Sequence, residues 1–519
     1  MVSNIGTWMQ NAGGGWLMTL LDPDPRIVAM VQVATSLPMF LLGLPAGALA
    51  DIFDRRRLLL TMEIVGTVLI TVFALLVKLD RVTPAILLGF TFLISVAAAL
   101  VVPAWQAIVP QLVERKDLAP AIALNSAGFN ISRAIGPALA GMLISYWGIG
   151  APFWVNAVSD LGVIAALFWW RTGVVTATDL PPERFGNAIF VGLRYARYNS
   201  HLRATLVRAI GFFLFASAYW ALLPLVAHNQ IAGGPRLYGL LLGTIGAGAV
   251  AGAFSLPYIK AKVGADHLVA LGSAGTALAL LLFGLARQPA VAFIASAIAG
   301  LCWIAVLATL NVSAQVALPG WVRGRGLAIY AIVMFGGLSL GSMLWGEVAS
   351  LISVSAAHYI AAVGAILVIP LLRDWKLHTG AALDLTPSMH WPEPVYFKEI
   401  APDRGPVLVT VAYHIEPKDR DAFLAAIYRV GAERRRDGAY DWGVFEDVAE
   451  EGRWLETFMV DSWLEHMRQH KRVTKADSAL ENEVRHFLTK GEPRITHFIA
   501  AQPEQQKPTP QSAKALPPD

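Results

Sequence analysis

Gly47-Ala-Leu-Ala-Asp51-Ile-Phe-Asp54-Arg55-Arg56-Arg57 lies between two apolar stretches, each long enough to cross a bilayer. Small residues such as Gly47 let two helix backbones approach closely. Asp51 ends the first stretch with a carboxylate at the water boundary, and Arg55, Arg56 and Arg57 mark a side that was never translocated. The segment therefore reads as a tight cytoplasmic turn between two membrane helices.

The whole chain agrees with that reading. Of 519 residues, 55% are hydrophobic and 15% charged, and the mean hydropathy is +0.53, more apolar surface than a soluble core of this size needs. From the N-terminus to Arg373 the apolar residues form about twelve blocks near the ~20-residue spanning length. They centre at 1–21, 27–50, 58–77, 84–103, 121–147, 152–170, 205–227, 237–258, 267–286, 290–312, 325–350 and 354–372. An even number of spans returns both ends to one side. Loops after the even spans, with the termini, carry about 17 Lys and Arg, including Arg115, Lys116, Arg194, Arg197, Lys260, Lys262, Arg323 and Arg325; the opposite loops carry about 5. Both termini are thus expected in the cytoplasm, with the chain crossing the membrane many times. The net charge of +4 follows from this bias and gives no reason to invoke nucleic acid. A single cysteine, Cys302, excludes an intrachain disulfide.

An internal repeat divides the membrane part. An offset of about 205 residues lays Gly43 and Gly47 on Gly248 and Gly252, and Arg55 and Arg57 on Lys260 and Lys262; one of about 209 lays Gln106, Pro110 and Gly128 on Gln315, Pro319 and Gly337. The expected fold class is an all-α polytopic membrane protein of two six-helix bundles, 1–170 and 205–375, joined by a cytoplasmic linker, 171–204. Within the linker, Arg184 to Tyr198 places Phe185, Ile189, Leu193 and Ala196 near helical spacing and reads as an interfacial helix. No Gly-Lys pair occurs in the chain, so no phosphate-cradling loop is present and transport would run on a gradient.

The Gly47–Arg57 turn resembles the loop motif of major facilitator superfamily transporters, glycine-x-leucine-alanine-aspartate followed by a basic cluster. Two positions depart from it: Ile52 stands where the family usually has a basic residue, and Asp54 where it has glycine. The Asp54 form resembles an enterobactin-exporter-like subgroup. So do Pro103-Ala-Trp-Gln106-Ala107, Pro110, Leu124-Asn125-Ser126 and Asn130-Ile-Ser-Arg133-Ala-Ile-Gly136-Pro137-Ala-Leu-Ala-Gly141. Gly136-Pro137 resembles the antiporter motif of helix 5, and Trp105 replaces an arginine that many members carry. The resemblance implies a secondary active exporter of a small organic molecule (siderophore, drug or metabolite), with a proton as coupling ion and no cofactor. Members usually begin with a short cytoplasmic lead, so helix 1 is expected here to lack its opening turn or two; no signal peptide is read.

Asp51 with Arg55 and Arg56 has two readings, a helix-end cap that sets topology or a gate that pairs across the cytoplasmic face in one state. Charges within spans are costly, which singles out Arg133, Asp160 and Glu63 in the first half and Glu347 and His358 in the second. Asp160 and Glu63 are candidates for coupling. Arg133 shares a helical face with Asn130 and Pro137, and its structural alternative is an ion pair with Asp160 or Glu63. Glu347 alternatively sits at the external boundary. Helix 1 offers Asn4, Trp8, Asn11 and Gly15 along one stripe, and helix 7 offers Phe212, Phe213, Phe215, Tyr219 and Trp220. These line a substrate cavity or simply pack.

After Trp375 the composition turns polar. A linker, 376–404, precedes a domain over 405–501, and 502–519 is a proline-rich tail expected to be disordered. A strand at Val407–Ile415, helix at Pro417–Arg436, hairpin at Tyr440–Val448 and Arg453–Val460, helix at Ser462–Thr489 and strand at Arg494–Ala500 make a small α+β ferredoxin-like βαββαβ unit. It resembles the dimeric α/β-barrel domains of the antibiotic-biosynthesis monooxygenase superfamily, which implies a homodimer through this domain. Haem-degrading members use asparagine, tryptophan and histidine; here His414 stands on the first strand instead of asparagine. His466 and His470 are spaced as metal ligands, but neighbouring Arg468, Lys471 and Arg472 point to a solvated basic face with no metal. A dimerisation or regulatory module attached to an exporter is the favoured reading. A membrane-tethered enzyme or sensor is the alternative.

Overall fold

The computed structural model describes residues 1–112, 117–170, 185–379, 384–391, 400–489 and 491–501. They fall into two compact units, Met1–Leu383 and Asp384–Asp519. Outside the described residues lie Arg115 and Lys116, linker residues 171–184, the tail 502–519, and the side chains of Asp51 and Pro110.

The first unit is helical: α1 (Val2–Leu21), α2 (Pro25–Ile52), α3 (Arg55–Lys78), α4 (Pro84–Leu112), α5 (Leu118–Trp147), α6 (Ala151–Trp169), α7 (Phe185–Tyr198), α8 (Ser200–Leu225), α9 (Pro235–Leu285), α10 (Pro289–Val316), α11 (Arg323–Leu351) and α12 (Val354–Leu371). Proline opens α2, α9 and α10, where its missing N–H is one the helix could not have used. Side-chain caps set other starts. Asp54 accepts from Arg57 N at 2.8 Å to begin α3, and Ser353 from Ala356 N at 3.1 Å to begin α12. In α9, Gly264 has φ +74° and ψ 173°, so the chain bends there into two helical arms. Among the described residues, nine helices are long and apolar enough to cross a membrane.

Two close seams link the earlier helices of this unit to the later ones. Along one, α2 lies on α11, where the hydroxyls of Ser36 and Ser339 share a buried hydrogen bond of 2.7 Å. Along the other, α5 crosses the first arm of α9 backbone to backbone. A Cβ at Gly141 would lie 2.6 Å from Pro235 O, and Gly239 and Gly246 press equally hard on Pro137 O and on the Ala134 backbone. Dispersion between close backbones is the main attraction available to helices in lipid, and only glycine permits it here. Gly47 makes no such contact among the described residues, whereas a Cβ at Gly43 would lie 3.0 Å from Ile332 on α11.

Helix α7 also differs from its expected pattern. Phe185 and Ile189 lie outside the described side chains; among those described, Val191, Tyr195 and Ala196 are buried, while Leu193 and Phe190 face outward. Tyr195 and Asn199 both donate to Ala317 O, so the helix is fixed to protein by polar contacts that the apolar spacing did not reveal.

The second unit is a four-stranded antiparallel sheet in the order β2-β3-β1-β4. Its elements are β1 (Val407–His414), α13 (Arg420–Arg436), β2 (Tyr440–Glu446), β3 (Arg453–Val460), α14 (Trp463–Arg472), α15 (Lys475–Arg485) and β4 (Arg494–Ile499). Alternation along β1 buries Val407, Val409, Val411 and Tyr413 against Phe423, Ile427 and Val430 of α13. The single helix expected over Ser462–Thr489 is two. Thr474 and Asp477 form a capping box that starts α15 and ends the run. Residues 384–391 are not a free linker either: Ser388 N donates to Val473 O and Lys475 N to Thr386 O, pinning the segment to this break.

Candidate functional site

Arg133 on α5 is 8% exposed and sits within the first unit among three tryptophans from three other helices. Its guanidinium carbon is 5.5 Å from the ring centre of Trp8 (α1), 5.2 Å from Trp220 (α8) and 5.5 Å from Trp303 (α10). Gly136 makes the first of these contacts available. A Cβ there would lie 2.6 Å from Trp8 Cβ and 2.9 Å from Ile5 O, so its absence lets α1 lie against α5. Trp220 and Trp303 meet edge to face at 5.3 Å, with Tyr219 beside both.

Several polar atoms of this cage are unpaired. Among the described residues Arg133 has no carboxylate partner, and its Nε, the Tyr219 hydroxyl and the indole N–H groups of Trp220 and Trp303 are buried without hydrogen-bond partners. Buried groups of this kind are nearly always satisfied in proteins. Guanidinium and indole can only donate and a phenol readily does, so the cage is complementary to an acceptor-rich, negatively charged group flanked by aromatic surface.

The other candidates separate. Arg133 forms no ion pair with Asp160 or Glu63, contrary to its structural alternative. Asp160, buried on α6, instead accepts from Ser3 Oγ at 2.7 Å, and Glu63 is half-buried on α3, which packs on α6. Asn130 donates to Ser126 O in its own helix, and Gln106 and Asn125 are exposed. On α1 the expected stripe splits: Trp8 joins the cage, Asn11 is exposed, and Gln10 makes a buried 2.5 Å hydrogen bond with Asn156. Arg56 caps the end of α6, donating to Leu167 O at 2.8 Å and Phe168 O at 2.9 Å. Glu347 is half-exposed, 3.6 Å from Arg26, and His358 is buried with Nδ1 at 2.8 Å from Val354 O. Trp303, missed in the sequence, sits in Leu-Cys-Trp-Ile-Ala-Val, where nothing distinguishes it from lipid-facing or core tryptophan.

The second unit has a cavity of about 370 Å³ between sheet and helices, walled by Val409, Val411 and Ile495 and by His466, His470 and His497. At its floor Arg434 is 2.7 Å from Glu481 and 3.4 Å from Glu456, and Tyr413 donates to Glu456 at 2.7 Å. Burial alone would raise the Glu481 carboxyl, but Arg434 and hydrogen bonds from His390 and Trp391 bring it down to about 2. The solvated basic face expected for α14 is not what forms. His466 is 1% exposed, Arg472 is buried against Glu465, and burial pushes His466 down to about 3 and His470 to about 4.

Long apolar helices in backbone contact and a donor-lined aromatic cage within them are the features of a membrane transporter, and comparison with known proteins agrees. The chain belongs to the major facilitator family whose model is described as transmembrane secretion effector, matched over residues 1–505. It is 24% identical over 350 residues to a staphyloferrin A transporter of Staphylococcus aureus, covering 66% of this chain and 85% of that one. It is 24% identical to the multidrug efflux pump Tap of Mycolicibacterium fortuitum over 64% of this chain and 83% of that one. An enterobactin exporter of Citrobacter koseri is also 24% identical, over 66% and 81%. In fold it is similar to a mutant of the nucleoside transporter NupG, with TM-score 0.59 and 11% identity over 72% of this chain and 98% of that one. A POT family transporter in complex with 5-aminolevulinic acid gives TM-score 0.57 at 13% identity, over 72% and 95%. The chain is thus a multi-pass membrane transporter, and the tethered-enzyme alternative finds no support among its relatives.

Proposed function

We propose that this transporter exports a small, negatively charged, partly aromatic organic molecule of the siderophore or drug class, by alternating access of two six-helix halves around Arg133. The observation that carries the reading is a buried guanidinium with no acidic partner, ringed by tryptophans from α1, α8 and α10. The siderophore and drug exporters among the relatives support the direction and the substrate class. Twelve spans follow if α1 and α5 cross as well and α9 counts as two, which its bend at Gly264 favours.

In this reading both termini lie in the cytoplasm of a bacterial inner membrane, as the Lys and Arg bias supports. Asp160 and Glu63 carry a coupling proton, and Gly47, Asp51, Arg55 and Arg56 form the cytoplasmic gate. Gln106, Asn125, Asn130, Gly136 and Pro137 shape the helix 4–5 hinge, and Trp8, Asn11, Tyr219 and Trp220 line the path. The C-terminal unit is a ferredoxin-like dimerisation or regulatory module; its β2-β3-β1-β4 sheet order supports the fold, and its resemblance to the α/β-barrel superfamily supports the role. The test is uptake of radiolabelled siderophores and amphipathic drugs by inside-out vesicles, with and without a proton-gradient collapser. Accumulation of an anionic compound that collapses with the gradient supports the proposal; accumulation of cationic compounds alone sinks it.

A further inference from the structure

Three imidazoles meet in the C-terminal unit that no single stretch of sequence unites. His466 and His470 stand one turn apart on α14 and His497 reaches them from β4, with one ring nitrogen of each lying within 4.8 Å of the others. His466 Nε2 and His470 Nε2 are 3.3 Å apart. A tetrahedral metal bound to imidazole at about 2.0–2.1 Å holds neighbouring nitrogens about 3.3 Å apart, so this pair already has the spacing of two ligands. Completing the set requires His497 to move inward by no more than about 1.5 Å, within reach of a side-chain rotation.

The surroundings also fit. His466 Nδ1 lies 3.4 Å from Gln469 Oε1, and the Gln469 amide donates to Asp437 O at 3.4 Å. An amide oxygen that accepts from Nδ1–H leaves the Nε2 lone pair facing the other histidines, the outer partnership that metal-bound imidazoles use. Three of the basic neighbours are offset by carboxylates. Arg468 and Arg472 reach Glu465 at 3.4 and 2.5 Å, and Arg434 lies between Glu456 and Glu481, two carboxylates to one guanidinium.

We propose that His466, His470 and His497 bind a late first-row divalent metal of the Zn²⁺ class, leaving a coordination position open to the cavity they line. Three nitrogen donors without a carboxylate favour Zn²⁺, Co²⁺ or Ni²⁺ over Mg²⁺ or Ca²⁺. Three protein ligands leave the fourth place to water or to a small oxygen or nitrogen donor. The walls formed by Val409, Val411 and Ile495 would select a compact donor with an apolar body.

The test uses full-length protein purified without a histidine tag, stripped with chelator, and titrated with Zn²⁺ and Co²⁺. We expect one equivalent per chain, intense visible Co²⁺ bands of a four-coordinate site, and a loss of Zn²⁺ affinity of more than about 100-fold in His497→Ala. His378→Ala, at the unrelated His201–His378 pair of the first unit, should bind as wild type. The Co²⁺ spectrum of wild type keeps the test independent of any variant's folding. Weak octahedral bands, no binding, or full affinity in a folded His497→Ala would overturn the proposal.

Discussion

Replacing Arg133 by glutamine tests the cage most sharply. The substitution removes the guanidinium but breaks no ion pair, since none exists among the described residues, and it relieves a buried charge while forfeiting its contacts with Trp8, Trp220 and Trp303. These opposed effects leave fold stability nearly unchanged. A hydrogen bond from a charged donor to a substrate anion contributes about 1.5–3 kcal/mol, which converts to roughly 10- to 150-fold in affinity. Arg133→Gln should therefore raise the KM for an anionic substrate by that factor, change a neutral analogue's KM less than about threefold, and leave the Tm within a few degrees of wild type. Arg133→Lys should fall between, keeping charge but losing the planar group that stacks on indole. Vesicle uptake at varied substrate concentration gives the KM, and scanning fluorimetry of the purified chain gives the Tm. An unchanged KM for the anion with an intact fold would refute the assignment; so would an equal loss for anionic and neutral compounds.

Other expectations follow from the same geometry. Gly246→Leu places a side chain against the Ala134 backbone at the α5–α9 crossing; transport should be lost while the chain still inserts, read by vesicle uptake against membrane-fraction blotting, and wild-type rates would show that the seam opens freely. Asp160→Asn keeps the hydrogen bond from Ser3 but cannot carry a proton, so uptake driven by an imposed pH gradient should fall while exchange at equilibrium persists; unaltered coupling removes Asp160 from the mechanism. In the C-terminal unit, Glu481 is held at about 2, below its ordinary 4.5. A depressed carboxyl adds stability above pH ~4.5, worth about 3 kcal/mol, that is lost as pH falls towards 2. Glu481→Gln should therefore speed hydrogen exchange of β1 amides at pH 7 and match wild type near pH 2; equal exchange at both would dissociate Glu481 from stability.

Much of this was readable from the chain, and the failures have physical causes. Apolar blocks, the Gly47–Arg57 turn and the Arg bias follow from what lipid demands of backbone and charge, which acts locally along the sequence. The separate apolar blocks 237–258 and 267–286, which the structure divides at Gly264, and the strands of the C-terminal unit were equally local. Arg133 was recognisable as costly, but its neighbours depend on which helices face one another. An acidic partner was one of the two readings; the helix contacts supply indoles instead. Trp303 carried no signal, because tryptophan in an apolar helix is ordinarily packing. His497 likewise could join His466 only once β4 lay beside α14. The α14–α15 break was different: Thr474-x-x-Asp477 is a capping box written in the sequence, overridden by the polar helical pattern around it.

The most direct test of the central claim is flux through the purified chain, reconstituted as the sole protein in liposomes, with radiolabelled staphyloferrin A, enterobactin and a cationic drug as probes. The expected result is gradient-driven accumulation of at least one anionic probe that Arg133→Gln reduces. Absence of flux for every probe, or flux of the cation alone undisturbed by Arg133→Gln, would contradict it.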